Sequence, residues 1–230
     1  HYSSNIGVIK FMERIGPKSL YTFSRSFGFG APTGISLAGE TVGKLSPVKN
    51  WSAVSMGQIS RGYEVGVTAI QMATAYSAIA NGGYLVSPRL VRQIMDHNQD
   101  VIYSEETSII RKIATEKAMG NIREILRGVV SNGTGHKAEI SGWDIAGKTG
   151  TAQKYDHKKG SYSSTAYVSS FVGFVPADAA KIAILVMVDE PKGVHWGGSV
   201  AAPVFKNIGR ETLRYLNVPS NDQRVYILDR

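Results

Sequence analysis

Apolar residues fall at helical spacing from the start of the chain. Ile6, Ile9, Met12 and Ile15 form one stripe, and Gly16-Pro17 stops that helix and starts another carrying Leu20, Phe23 and Phe27. Residues 31–50 hold Gly34, Gly39, Gly43, Pro32 and Pro47 and read as an ordered but irregular loop. Ala69 to Ala80 is small or apolar nearly all round, the pattern of a buried helix, and Asn81-Gly82-Gly83 ends it. Leu85 to Tyr103 is β-rich and mixed. An amphipathic helix comes next, with Ala118, Met119, Ile122, Ile125, Leu126, Val129 and Val130 on one stripe, closed by Asn132-Gly133.

Beyond that point the period changes. Trp143 to Lys154 reads as a strand, Tyr167 to Val175 as a second and Lys181 to Val188 as a third, with Pro176-Ala177-Asp178 as the turn between the last two. The order predicts an antiparallel hairpin plus a partner strand. Pro203 suits the first turn of a terminal helix, whose Val204, Phe205, Ile208 and Tyr215 are expected to face the sheet while Leu213 falls off the stripe. Helices, then strands, then one helix is an α+β pattern: a mainly helical lobe over residues 1–135, and sheet strands with a helix against them over 136–230.

Composition adds limits. At 230 residues, 43% hydrophobic and 19% charged, the chain suits one large domain with a real core. No apolar run reaches membrane-span length, and the first residues show no signal-peptide pattern. The absence of cysteine excludes disulfides, thiolate metal sites and a cysteine nucleophile. The net charge of +8 is scattered rather than gathered into an arm or stripe, which argues against nucleic acid as a partner. His136, His157 and His195 lack ligand spacing, so neither a metal nor any other cofactor is expected.

Two short motifs carry the chemistry: Ser3-Ser4-Asn5, and Lys148-Thr149-Gly150-Thr151 inside the first predicted strand. Each is weak alone. A Ser-x-Asn triplet is common, and Ser3 or Ser4 could simply cap a helix starting near Asn5. In this order, with sheet after helices, the two match two of the three motifs of the serine acyl-transferases that bind penicillin. The likeness widens over Ser3–Lys10, Phe27–Gly30, Thr33–Gly39-Glu40, Gln71–Gly83, Gly133-Thr134-Gly135, Asp189–Lys192, Gly197-Gly198 and Ala201–Phe205. On these segments the chain resembles the class B penicillin-binding proteins, nearer the division and sporulation type than the elongation type. A class A β-lactamase fits less well, because its second motif usually reads Ser-Asp-Asn and no deacylating glutamate loop is found.

The resemblance implies roles. Ser3 would relay a proton toward the leaving amine, Asn5 would hold a peptide carbonyl, and Lys148 would supply charge beside Ser3 in a cleft between two lobes. Strand alternation puts Thr149 and Thr151 on one face, where their hydroxyls suit a terminal carboxylate. Gly150 would let a substrate backbone lie alongside the strand, and the Thr151 N–H would be one oxyanion donor. Alternation alone sends Lys148 the other way. The family's nucleophile and base sit in a Ser-x-x-Lys motif upstream of Ser-x-Asn. Here the one such pattern, Ser46-Pro47-Val48-Lys49, comes after Ser3 and carries proline where a buried helix should start. The transpeptidase domain is therefore expected to be incomplete at its N-terminus.

By resemblance the expected activity is that of a D,D-transpeptidase, which cross-links peptidoglycan by serine acyl transfer on D-Ala-D-Ala stem peptides and is a target of β-lactams. It would act at the outer face of the bacterial cytoplasmic membrane, held by an anchor outside this sequence. Its expected partners are the stem peptide, β-lactam antibiotics, the nucleophile segment (on the same chain or a separate one) and division-complex proteins. The isolated chain is expected to be inactive. The competing reading is a non-catalytic module that binds wall peptide or a division partner. The tract Asp156–Ser161 reads as a mobile hairpin tip beside the motif strand. His195-Trp196-Gly197-Gly198 before the last helix has two readings, a rim of the cleft or, favoured, only a tight loop.

Overall fold

The computed structural model describes residues 2–156 and 158–221; His157 lies outside them. The described residues form two compact units, one of residues 5–78 and 82–115, the other of residues 2–4, 79–81 and 116–221.

The first unit opens with α1 (Asn5–Ile15) and α2 (Pro17–Ser26), split at Gly16 with proline starting the second helix. Neither helix buries a residue, and Ile6 and Phe11 are largely exposed. Short strands β1 (Lys44–Leu45) and β2 (Val65–Gly66) pair antiparallel around α3 (Ser55–Ser60). In α4 (Ala69–Ala80), Gln71, Thr74, Ala75, Ala78 and Ile79 are buried. The Gln71 amide donates to the carbonyls of Ala31 (2.8 Å) and Val42 (3.0 Å), while its oxygen accepts the Thr68 N–H at 3.0 Å. A buried amide with every hydrogen bond made is what holds the glycine-rich loop to the helix. Glu40 closes the same loop: its carboxylate accepts the Thr33 N–H and hydroxyl, both at 2.6 Å, and the Gly34 N–H at 3.2 Å. The β-rich stretch resolves into two ribbons, β3 (Tyr84–Val86) with β6 (Ile109–Lys112) and β4 (Gln93–Met95) with β5 (Val101–Ser104).

The second unit holds α5 (Glu116–Ser131), β7 (Ala146–Asp156), β8 (Ser161–Val175), β9 (Ile182–Asp189), α6 (Gly197–Val200) and α7 (Ala202–Tyr215). Its sheet is antiparallel in the order β7-β8-β9, the predicted hairpin plus partner strand. β7 starts three residues later than the sequence pattern indicated and ends two later, while β8 starts six residues earlier, because the two strands go on pairing through the polar Tyr155↔Tyr162 and Asp156↔Ser161 positions. The core gathers Phe171, Val175 and Val186 from the sheet with Val130 of α5 and Phe205 and Leu213 of α7. The rings of Phe171 and Phe205 meet edge to face at 4.7 Å.

Two helix faces differ from the sequence reading. In α5 Met119, Leu126, Val129 and Val130 are buried, but Ile125 is 57% exposed. In α7 the buried positions are Ala202, Phe205, Gly209 and Leu213, at spacings of three, four and four, whereas Val204, Ile208 and Tyr215 face out. The reason is Gly209. A Cβ there would stand 2.9 Å from the Ile140 side chain, so the helix approaches its neighbour through a residue that a count of large apolar side chains ignores. With helices, a small antiparallel sheet and α7 packed in the sheet core, the fold is α+β.

Candidate active site

Lys148-Thr149-Gly150-Thr151 lies in β7, at one edge of the three-stranded sheet. Thr149 pairs with Phe171 and Thr151 with Ser169, so both threonines share the face on which Phe171 meets α7. The alternation read from the sequence is present.

Each of these hydroxyls has a neighbour. Thr151 Oγ1 accepts the Gly197 N–H at 3.0 Å, and Thr149 Oγ1 lies 2.8 Å from Thr134 Oγ1. Lys148 starts on the other face, as alternation requires, but its long stem brings Nζ back. The ammonium donates to the Thr149 carbonyl at 2.9 Å and stands 3.5 Å from Thr149 Oγ1. Partial burial of this ammonium lowers its pKa from the ordinary lysine value, since desolvation disfavours the charged form.

Two glycines set the local packing. A Cβ at Gly150 would meet the Ser170 hydroxyl directly across the ladder and require it to rotate away. A Cβ at Gly197 would collide with the carbonyls of Gly150 and Ser170, so α6 begins flat against the motif strand. The loop before it is pinned as well: the Ser169 hydroxyl donates to the His195 carbonyl, and the His195 ring stacks on Tyr167 at 4.0 Å with Trp196 beside it at 4.8 Å. Residues 195–198 are thus more than a turn before the last helix. Gly197 and Gly198 pack on the motif strand, and His195 packs on β8 beside it.

Ser3 groups with the sheet unit and Asn5 with the other. Ser3 has a left-handed φ of 52°, and Asn5 is the first residue of α1. Ser46 precedes a three-residue 3₁₀ turn, Val48–Asn50, with Pro47 extended (ψ 150°) and Lys49 exposed. The Ser46-x-x-Lys49 pattern is therefore not at the start of an α-helix, and a serine–lysine pair cannot be built there as on one helical turn.

Residues 1–210 match the penicillin binding protein transpeptidase domain. The chain belongs to that family. It is 38% identical over 225 residues to stage V sporulation protein D of Bacillus subtilis, covering 97% of this chain and 34% of the relative. It is 37% identical over 226 residues to the penicillin-binding protein PbpB of Mycolicibacterium smegmatis, covering 94% and 35%. The crystal structure of penicillin binding protein 3 from Mycobacterium tuberculosis, complexed with aztreonam, superposes with a TM-score of 0.88 at 33% identity, over 96% of this chain and 51% of that one. The chain spans about a third of the length of the curated relatives it matches. In this transpeptidase domain the sequence motifs located the strand. Thr134, Gly197 and Ser170, which surround it, were missed as site neighbours because they come from three other segments. Only the Gly133-Thr134-Gly135 and Gly197-Gly198 resemblances hinted at two of them.

Proposed function

We propose that this domain takes part in peptidoglycan cross-linking by serine acyl transfer on D-Ala-D-Ala stem peptides, and that β-lactams acylate the same enzyme. The observation that carries the reading is the edge strand with Lys148, Thr149 and Thr151. A partly buried cation and two hydroxyls lie around one stretch of backbone there, an arrangement suited to a terminal carboxylate. Family membership supplies the chemistry, and a relative at 35% identity is named as a probable peptidoglycan D,D-transpeptidase. Gly150 gives the substrate backbone room along the strand, and the Thr151 N–H serves as one oxyanion donor. Ser3 relays the proton to the leaving amine, Asn5 holds a peptide carbonyl, and Lys148 contributes charge.

The nucleophile and its base come from a Ser-x-x-Lys segment outside these 230 residues. The whole protein acts at the outer face of the cytoplasmic membrane, anchored by a segment elsewhere in it and working with division or sporulation proteins. Residues 1–135 contribute mainly helix and 136–230 the strands and terminal helix of one transpeptidase domain.

The test is acylation of the whole protein by a labelled penicillin. Replacing Lys148 by Ala should slow it by a factor of order 10² or more, since charge stabilisation is lost in a partly dry site. An unchanged rate would return Lys148 to a structural role. Penicillin treatment of the 230 residues alone, with mass spectrometry as the readout, should leave the chain unmodified. A stoichiometric adduct on this chain, at Ser46 for instance, would overturn the assignment of the nucleophile.

A further inference from the structure

We propose that Thr134 is a positioning residue for the carboxylate site: its hydroxyl donates to Thr149 Oγ1 and so turns the Thr149 O–H outward as a donor to the anion. The inference rests on the reading of Lys148, Thr149 and Thr151 given above and adds a residue which that reading does not include.

In the free site either hydroxyl of the Thr134–Thr149 pair can donate, and hydrogen counting makes Thr134 the donor once an anion takes the Thr149 hydrogen. A threonine hydroxyl has one hydrogen to give and lone pairs to receive. Behind Thr151 stands the Gly197 N–H, a group that can only donate, at 3.0 Å; the Thr151 hydrogen is left for something in front. Behind Thr149 stand the Lys148 ammonium, also only a donor, at 3.5 Å and the Thr134 hydroxyl at 2.8 Å. When an anion binds in front, the chain Thr134 to Thr149 to carboxylate gives every oxygen a hydrogen, and each bond polarises the next. A neutral amide presents hydrogens of its own to this row of donors and gains less.

Thr134 is also held in place. A Cβ on Gly198 would collide with the Thr134 carbonyl and touch the Thr149 methyl at 3.4 Å. A Cβ on Gly135 would press on the Phe171 ring at 3.1 Å, and the Gly135 N–H donates to the Val129 carbonyl at 2.9 Å. The backbone from the Thr134 carbonyl through Gly135 is thereby packed against the sheet and α6. With the backbone held, the exposed hydroxyl keeps its 2.8 Å contact with Thr149 Oγ1 in the absence of a ligand.

The experiment uses the whole protein and separates penicillin capture from the acylation step. It also compares a carboxylate-ended D-Ala-D-Ala peptide with its C-terminal amide. Thr134→Val should weaken capture by about three- to tenfold, the scale of one neutral hydrogen bond, and lower the preference for carboxylate over amide. Thr134→Ser, which keeps the hydroxyl, should restore both. Because Thr134 acts through Thr149, the double variant Thr134→Val/Thr149→Val should capture no worse than Thr149→Val alone, whereas a general packing role would add. If Thr149→Val weakens capture but Thr134→Val does not, the Thr134 inference is wrong and the site stands. If neither variant changes capture, the carboxylate site itself is wrong, and the Thr134 inference falls with it.

Discussion

The backbone N–H of Gly197 donates to the hydroxyl of Thr151 at 3.0 Å, and this single bond ties the first turn of α6 to the motif strand. The contact exists because Gly197 has no side chain; a Cβ would meet two backbone carbonyls, neither of which can swing aside. Gly197→Ala should therefore destabilise the domain by about 1–3 kcal/mol, the usual range for overpacking, and weaken β-lactam capture as α6 lifts from Thr151. Denaturant unfolding of the whole protein together with capture measurements checks both effects. Wild-type stability would mean that α6 yields without strain.

Lys148 makes the site pH-dependent. Burial lowers its pKa from the ordinary value of 10.5, so in the free protein the cation is lost at a lower pH than for a surface lysine. Capture of a carboxylate ligand should fall along an alkaline limb that begins below 10.5. In Lys148→Arg, whose guanidinium stays charged, that limb should vanish or move up, whatever the cost to overall rate. Stability runs the other way. The unfolded chain holds this proton to higher pH than the folded one, so the linked contribution of Lys148 makes the fold more stable as pH rises from the folded pKa toward 10.5. A limb at the same pH in both proteins would assign it to another group.

Glu40 is the fastener of the loop over residues 33–40. Hydrogen bonds from the Thr33 hydroxyl, the Thr33 N–H and the Gly34 N–H hold its carboxyl below the usual glutamate value. The contribution is thus present above the ordinary glutamate pKa and lost as pH falls through the lowered one. Protection factors of the Thr33 and Gly34 N–H groups, corrected for the intrinsic pH dependence of exchange, should fall in Glu40→Gln and, in the wild type, at acid pH. Exchange that ignores both changes would mean that Gln71 alone holds the loop.

Near the end of α7, two large side chains only two positions apart have opposite fates. Leu213 is fully buried and Tyr215 is 84% exposed. Leu213→Ala should cost about 2–5 kcal/mol of unfolding free energy, while Tyr215→Ala should stay within about 0.5 kcal/mol of wild type. Chemical denaturation curves of the two variants decide it. The reverse order would restore the face read from the sequence.

The fold class, the three antiparallel strands and the placement of Lys148-Thr149-Gly150-Thr151 on a strand were legible in the sequence. So was the sharing of one face by the two threonines. Each is set by a local period: two residues for a strand, three to four for a helix, with glycine and proline marking the ends. The inward face of α7 was not legible, because one of its buried positions is Gly209 and glycine carries no hydrophobic signal. Nor was the return of the Lys148 ammonium toward Thr149, since alternation describes where a side chain starts and not where a four-carbon stem ends. The donors behind the two threonines were hidden for a different reason. Thr134 is 15 residues before Thr149 and Gly197 is 46 after Thr151, and only the packing of α6 and the turn after α5 against the sheet brings them within hydrogen-bond reach. Periodicity reports what neighbours in sequence do, whereas a binding site is made where distant segments meet.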